Sequence, residues 1–287
     1  MQERNNFQAQ FMFLFIIALF TNQSLLIENF LPALILSSII SILSYKLKFL
    51  DYKGGIATFI LGLIVFWFGG WKWTVPFFVF FLISSLFSKI KKSSTDLKTY
   101  LEKSGKRDHW QVLANGGLGG ILVILNYFFP TELFYLAFVS SVAAVCADTW
   151  STEIGTLFQT VTINILTLKV VQQGISGGVS FIGTIGGIIG AAVIAASSTF
   201  WINAKHLNYL FFIIFAGIIG NLFDSIIGAS IQAKYRCNVC SKITERVFHC
   251  HKPALLVNGF RWINNDVVNF ATGIIGGLFG FLFIEIF

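Results

Sequence analysis

The sequence predicts an all-α integral membrane protein, a polytopic bundle of about nine transmembrane helices with a cytoplasmic N-terminus. Three observations predict it. Of 287 residues, 55% are hydrophobic and 11% are charged, about half the charge of an ordinary soluble domain. Apolar segments of membrane-crossing length recur along the chain, each near the roughly 20 residues that a hydrocarbon core about 30 Å thick requires. Basic residues collect on one side of the resulting map. Lipid supplies no hydrogen-bond partners, so each span must satisfy its own backbone as a helix. The segments lack the alternation of apolar and polar residues that barrel strands need.

In order, spans are expected near 7–27, 30–46, 56–70, 72–89, 110–128, 132–150, 179–201, 207–229 and 267–286. Thr21 to Ser24 interrupt the first. Phe11 to Phe20 is short enough for the apolar part of a signal peptide, but no small-residue cleavage site follows it. The chain reads as one membrane domain, 1–287, with polar loops near 90–109, 151–178 and 230–266. A cytoplasmic N-terminus puts Arg4, Lys46, Lys48, Lys53, Lys89, Lys91, Lys92, Lys98, Lys103, Lys106, Arg107, Lys169, Lys234, Arg236, Lys242, Arg246, Lys252 and Arg261 inside. Only Lys72 and Lys205, of 20 basic residues, fall outside. That bias is the one that orients membrane proteins, and it accounts for a net charge of +7 without nucleic acid. The expected location is the inner or plasma membrane, with the active face cytoplasmic.

Glycines four apart recur at Gly116/Gly120, Gly183/Gly187, Gly186/Gly190, Gly273/Gly277 and Gly276/Gly280. Small residues at that spacing let membrane helices approach closely. The fifth, seventh and ninth spans are therefore expected inside the bundle.

Polar groups stand where lipid should be. Asp148 closes the sixth span and Glu153 follows in its exit; Asp224 lies inside the eighth; Asn265 and Asp266 open the ninth; Asn115 lies in the fifth, after Asp108 at its mouth. Ionisable groups in spans usually face a cavity or a partner. Asp148, Glu153, Asp224 and Asp266 are expected to converge at the cytoplasmic surface and hold Mg²⁺, a hard cation that takes oxygen ligands and bridges to phosphates. The alternative is a set of interhelical hydrogen bonds. The turn Gly174-Ile-Ser-Gly-Gly-Val-Ser180 precedes the seventh span. Its Ser176, Gly177, Gly178 and Ser180 would present backbone N–H groups and a helix N-terminus to a phosphate. A flexible interfacial turn explains the same residues. Lys106 and Arg107 would contact an anionic ligand, or serve topology and anionic lipid. Cys237-x-x-Cys240 followed by His249-Cys250-His251 resembles a zinc knuckle, with three Cys and one of the two His as ligands. Free thiols are the other reading.

Five stretches together resemble one family. They are Gly-Lys-Arg-Asp-x-x-Gln-Val-Leu-Ala-Asn-Gly-Gly (105–117), Ala-Asp-Thr-Trp-Ser-Thr-Glu-Ile-Gly (147–155), Gly-x-Ser-Gly-Gly-Val-Ser-x-x-Gly-Thr (174–184), Asp-Ser-x-x-Gly-Ala-x-x-Gln (224–232) and Trp-x-Asn-Asn-Asp-x-Val-Asn (262–269). The chain resembles the membrane family called domain of unknown function 92, or transmembrane protein 19-like, which includes the plant phytyl-phosphate kinase. That resemblance implies a kinase moving the γ-phosphate of CTP or another NTP onto a prenyl monophosphate to give the diphosphate. More remotely, Asp148 to Gly155 followed by Ser176 to Gly183 is similar to the CTP-using dolichol kinases and cytidylyltransferases. With those partners, Asp148, Glu153, Asp224 and Asp266 would hold Mg²⁺. Ser176 to Ser180, with Asn115 and Asn265, would cradle the nucleotide, and Lys106 and Arg107 would screen the acceptor phosphate. A transporter of a small anion or lipid, or a non-catalytic membrane protein whose carboxylates lock helices, are the competing functions.

Overall fold

The computed structural model describes residues 23–90, 105–158, 160–202 and 208–286. Within them lie seven helices long and apolar enough to cross a membrane: α1 (Gln23–Lys46), α2 (Tyr52–Ile90), α3 (His109–Phe128), α4 (Glu132–Leu157), α5 (Phe181–Ser198), α6 (Asn208–Ser230) and α7 (Asn265–Ile286). A short 3₁₀ turn, Thr199–Trp201, extends α5.

The helix α2 is two arms. Gly70 has φ 62° and ψ −158°, a conformation open to glycine and costly elsewhere, and the chain folds back there. A methyl group at Gly116 on α3 would touch both Leu61 and Phe77, residues that an unbroken helix would hold about 24 Å apart. Arg107 makes the same point. Its backbone pairs with Phe49 and Asp51 before α2, while its guanidinium reaches Ser88 near the end of α2. The sequence expectation of separate spans at 56–70 and 72–89 matches these arms. The expected first span, 7–27, lies almost wholly outside the described residues, as does most of the 90–109 loop.

Helix α4 is the centre. Every residue from Tyr135 to Ala147 is buried, the signature of a helix enclosed by others on all sides. The glycine helices are not the innermost elements, as the spacing alone suggested; they lean on α4. Added methyls at Gly183, Gly187 and Gly190 of α5 would meet the carbonyls of Ser151, Ala147 and Cys146 at 2.9–3.2 Å, and one at Gly276 of α7 would meet that of Ser140 at 2.9 Å. At Gly155 the added atom would lie 3.1 Å from the Gly183 Cα, so α4 and α5 cross with their backbones in near contact. The outer faces carry exposed Ile35, Ile39, Ile56, Ile60, Ile121, Ile188 and Phe211, the surface expected against lipid tails.

One expectation is corrected. The helix carrying Asp148 does not end at 150 but runs to Leu157, so the loop after it begins at 158 and Glu153 is helical. The fold is mostly helical, as expected, and its loops add short strands. The loop before α5 is a three-stranded antiparallel sheet of β1 (Thr162–Asn164), β2 (Val170–Val171) and β3 (Gly178–Val179), in the order β2-β1-β3. The loop before α7 pairs β4 (Lys234–Arg236) with β5 (Ile243–Thr244) and β8 (Leu255–Asn258), and carries a hairpin of β6 (Phe248–His249) and β7 (Lys252–Pro253). Both β loops stand on the face where α2 begins and ends. Lys72, over the Tyr135 ring at 4.2 Å, stands on the other.

Candidate functional site

The two β loops and the ends of α4, α6 and α7 line a polar cleft, a concave setting of the kind small ligands use. Its first wall is α4. Asp148, Ser151, Thr152, Gly155 and Thr156 all line the cleft, because steps of three and four residues return to one helix face. Asp224 and Ser225 come from α6 and Asn265 from the first turn of α7. The Asp148 and Asp224 carboxyls are in hydrogen-bond contact. Thr272 Oγ donates to Asp224 Oδ2 at 2.9 Å, which fixes that carboxyl from α7. Two carboxylates brought together repel unless a proton or cation lies between them.

The opposite wall is the turn from Gly174 to Ser180. Gly174 and Gly177 have φ 80° and 81°, left-handed values that glycine adopts freely. The Gly178 N–H donates to the Ile175 carbonyl at 2.8 Å, and the Ile165 N–H donates to that of Gly177 at 2.9 Å. The turn is thus tied into the first sheet and leads directly into α5. Ser180 caps that helix, its Oγ accepting from the Gly183 N–H at 3.2 Å. The N-terminus of α5, with its positive dipole end, therefore opens at the cleft. Gln173 supports the floor: its Nε2 donates to the carbonyls of Phe158 at 2.6 Å and Thr160 at 3.1 Å, groups that the end of α4 leaves without helical partners.

The second β loop closes the cleft with Glu245, which is buried. Ser176 Oγ donates to Glu245 Oε1, and Gln232 Nε2 donates to the same oxygen at 3.1 Å. Lys234 Nζ donates to the Ser176 carbonyl at 3.2 Å. Burial pushes the Lys234 ammonium below the ordinary lysine range, and Glu245 partly restores it. A cation thus stands at the turn expected to cradle phosphate.

Of the residues the sequence singles out, the structure brings together Asp148, Asp224, Ser176, Gly177, Gly178, Ser180 and Asn265. It separates five others. Glu153 lies five residues beyond Asp148 on α4, about 140° around the helix, and accepts from Ser88 Oγ at 3.1 Å on the side facing α2. Arg107 stands on that same side. Its Nη2 is 3.5 Å from Ser88 Oγ, and burial lowers its pKa against the opposing field of Glu153. Asn115 and Arg107 line a different, apolar cavity between α1, α2 and α3. Lys106 is exposed and lines neither. Asp266 lies in the first turn of α7 and not on the cleft wall; a carboxylate in that turn interacts favourably with the helix dipole. Asp108 is structural as well, forming a capping box with Gln111, a pattern readable as Asp-x-x-Gln.

Sequence reasoning missed Ser151, Thr152, Thr156, Gln173, Ser225, Lys234 and Glu245. The α4 residues had a signal, a polar stripe at helical period from Asp148 to Thr156, hidden by ending the helix at 150. Lys234 and Glu245 had none, since the folding of an irregular loop brings them to Ser176.

At the far end of the second β loop, Cys237, Cys240, His249 and Cys250 converge, with one ligand atom from each lying within 4.8 Å of the others.

The family described as Integral membrane protein DUF92 matches residues 35–277. Protein PGR of Arabidopsis thaliana is 30% identical over 267 residues, covering 84% of this chain and 91% of the relative. An uncharacterized membrane protein of Methanocaldococcus jannaschii is 29% identical over 258 residues, covering 90% of this chain and 94% of the relative. The chloroplastic Protein VTE6 of Arabidopsis thaliana is 28% identical over 239 residues, covering 81% of this chain and 65% of the relative. No solved structure matches.

Proposed function

We propose that this chain, which belongs to the integral membrane protein family DUF92, is a membrane-embedded phosphotransferase that moves the γ-phosphate of CTP or another NTP onto a prenyl monophosphate. The observation that carries this reading is one cleft in which Asp148 and Asp224 face the Gly174–Ser180 turn at the N-terminus of α5. A carboxylate pair opposite a backbone-lined turn suits a metal-bound polyphosphate. The resemblance to a family that includes the plant phytyl-phosphate kinase supports the acceptor class.

The donor set fits Mg²⁺, being entirely oxygen: Asp148 and Asp224, with Ser225 and Asn265 beside them. Bound there, the ion would neutralise charge on the transferring phosphoryl group. The protein's own groups do the rest. Backbone N–H groups of the turn and the α5 dipole orient the polyphosphate. Lys234 sets a positive charge against Ser176. Ser151, Thr152 and Thr156 offer hydroxyls along one wall. An acceptor phosphate oxygen is already anionic, so transfer demands positioning and charge screening in place of a strong base. The apolar cavity between α1, α2 and α3, with Arg107, Gln111 and Asn115 at its polar end, offers the isoprenoid chain a place beside α4. On the positive-inside rule the cleft opens to the cytoplasm.

The test is transfer of radiolabelled phosphate by purified protein across nucleotides and prenyl monophosphates. Labelled prenyl diphosphate is the expected product. Gradient-driven uptake into liposomes without nucleotide consumption would replace this reading with transport.

A further inference from the structure

The cluster at the tip of the second β loop carries chemistry of its own, independent of phosphoryl transfer. Two tight turns face each other there. In the first, which follows β4, the Ser241 N–H donates to the Cys237 carbonyl at 3.0 Å and the Cys237 N–H to the Lys242 carbonyl at 3.0 Å. The Val239 N–H donates to Cys237 Sγ at 3.3 Å, the backbone-to-sulfur bond that steadies a thiolate ligand. The second joins β6 to β7 through Cys250 and His251, with φ 51° and 60°. Hairpin turns of this kind ordinarily use Asn-Gly. Two side-chain-bearing residues in the left-handed region persist where the surroundings over-determine them.

The distances among Cys240, His249 and Cys250 are those of a coordination shell, and Cys237 Sγ lies within 4.8 Å of each. Cys240 Sγ and Cys250 Sγ lie 3.9 Å apart, and His249 Nδ1 lies 3.5 Å from the first and 3.3 Å from the second. A tetrahedral zinc with Zn–S about 2.3 Å and Zn–N about 2.0–2.1 Å has ligand–ligand edges of about 3.8 Å (S to S) and 3.5 Å (S to N). We infer that Cys237, Cys240, His249 Nδ1 and Cys250 form a closed zinc site, with His249 and not His251 as the nitrogen ligand. Four protein ligands leave no position for substrate, so the role is structural. Its placement says what it holds. Cys237 continues β4, whose first residue is Lys234, and Glu245 follows β5, the partner of β4 in the register Tyr235↔Thr244. Fastening the 237–242 turn to the 248–253 hairpin fixes the loop that lays Lys234 and Glu245 against Ser176.

The full-length protein, purified in detergent under reducing conditions without chelator, is expected to hold about one zinc per chain by elemental analysis. Cobalt exchanged into it should show the thiolate charge-transfer and tetrahedral d–d absorption bands. Cys240→Ser with Cys250→Ser should lose the metal, while Cys146→Ser and His251→Ala should keep it. Limited proteolysis between residues 237 and 253 should accelerate after chelation. Unfolding of the double variant would leave the cobalt spectrum and the His251→Ala stoichiometry as independent readouts. Failure to retain zinc even when it is supplied, with all three thiols rapidly alkylated, would overturn the inference. So would a Cys240–Cys250 disulfide in the reduced-buffer preparation, or loss of metal in His251→Ala alone.

Discussion

Replacing Gly177 by alanine tests the phosphate-facing turn most directly. At φ 81° an alanine pays about 1–2 kcal/mol for the left-handed conformation. Its methyl would also lie 2.6 Å from the backbone nitrogen of Ala229 near the end of α6, and forcing an extra carbon into packed surroundings costs about 1–3 kcal/mol. The combined penalty of about 2–5 kcal/mol must appear somewhere. If the turn stays against α6, the midpoint of thermal unfolding in detergent falls. If the turn lifts away, stability is retained and the cradle is lost, which at about 1.4 kcal/mol per tenfold lowers transfer by about 30-fold or more. Adding Ala229→Gly should rescue only in part, because the backbone nitrogen and Cα of residue 229 stay where they are. Gly117→Ala is the control, since its nearest neighbour would be Phe270 Cε2 at 3.9 Å, and both readouts should be unchanged. A Gly177→Ala protein as stable and as active as Gly117→Ala would refute the contact between the turn and α6, and with it the argument that the turn is held ready for phosphate.

Four further outcomes are expected. Asp148→Asn and Asp224→Asn should each lower phosphate transfer by at least about 100-fold, given the several kcal/mol a metal supplies. Thr272→Val, which removes the 2.9 Å bond to Asp224, should weaken apparent Mg²⁺ affinity about 10–100-fold with kcat largely kept; Mg²⁺ titrations of all three read this out. Lys234 loses its proton at lower pH than an ordinary lysine because burial opposes its charge. Nucleotide affinity should therefore decline as pH rises, beginning below the ordinary lysine range, and Lys234→Arg should move that decline to higher pH; an identical profile in Lys234→Arg would discard the role. With a membrane-impermeant maleimide on right-side-out vesicles, Phe200→Cys should label at once and Lys48→Cys only after permeabilisation. The reverse pattern would turn the cleft outward.

The membrane class and most segment boundaries were legible because apolar length and charge placement are local properties. The Asp148–Asp224 pair was legible for a related reason, since a carboxylate inside an apolar run has few uses. Rotation about a helix was harder to read. Glu153 belongs to the same motif as Asp148 yet faces Ser88, because ending the helix at 150 removed the 100° steps that would have separated them. Asp266 carried the same chemistry as its neighbours and turned out to occupy the first turn of α7, where sequence adjacency to Asn265 does not mean a shared wall. Glu245 was beyond reach because strand pairing across an irregular loop has no local periodicity to betray it. The cysteine spacing marked the cluster up to the choice between His249 and His251, and the folded loop brings His249 to the three thiols.

The reversal at Gly70 bears on how the chain enters a bilayer. Because 52–69 and 71–90 run in opposite directions with no polar linker between them, they can insert as one preformed hairpin, and no hydrophilic segment has to be translocated. The sole ionisable side chain carried across with that bend is Lys72, whose passage through the midplane costs about 2.5–3.5 kcal/mol on insertion scales, small against the hydrophobicity of its two flanking arms. A leucine at 70 would have to hold a backbone conformation that costs about 1–3 kcal/mol for a residue with a side chain, at the one point where the two arms reverse.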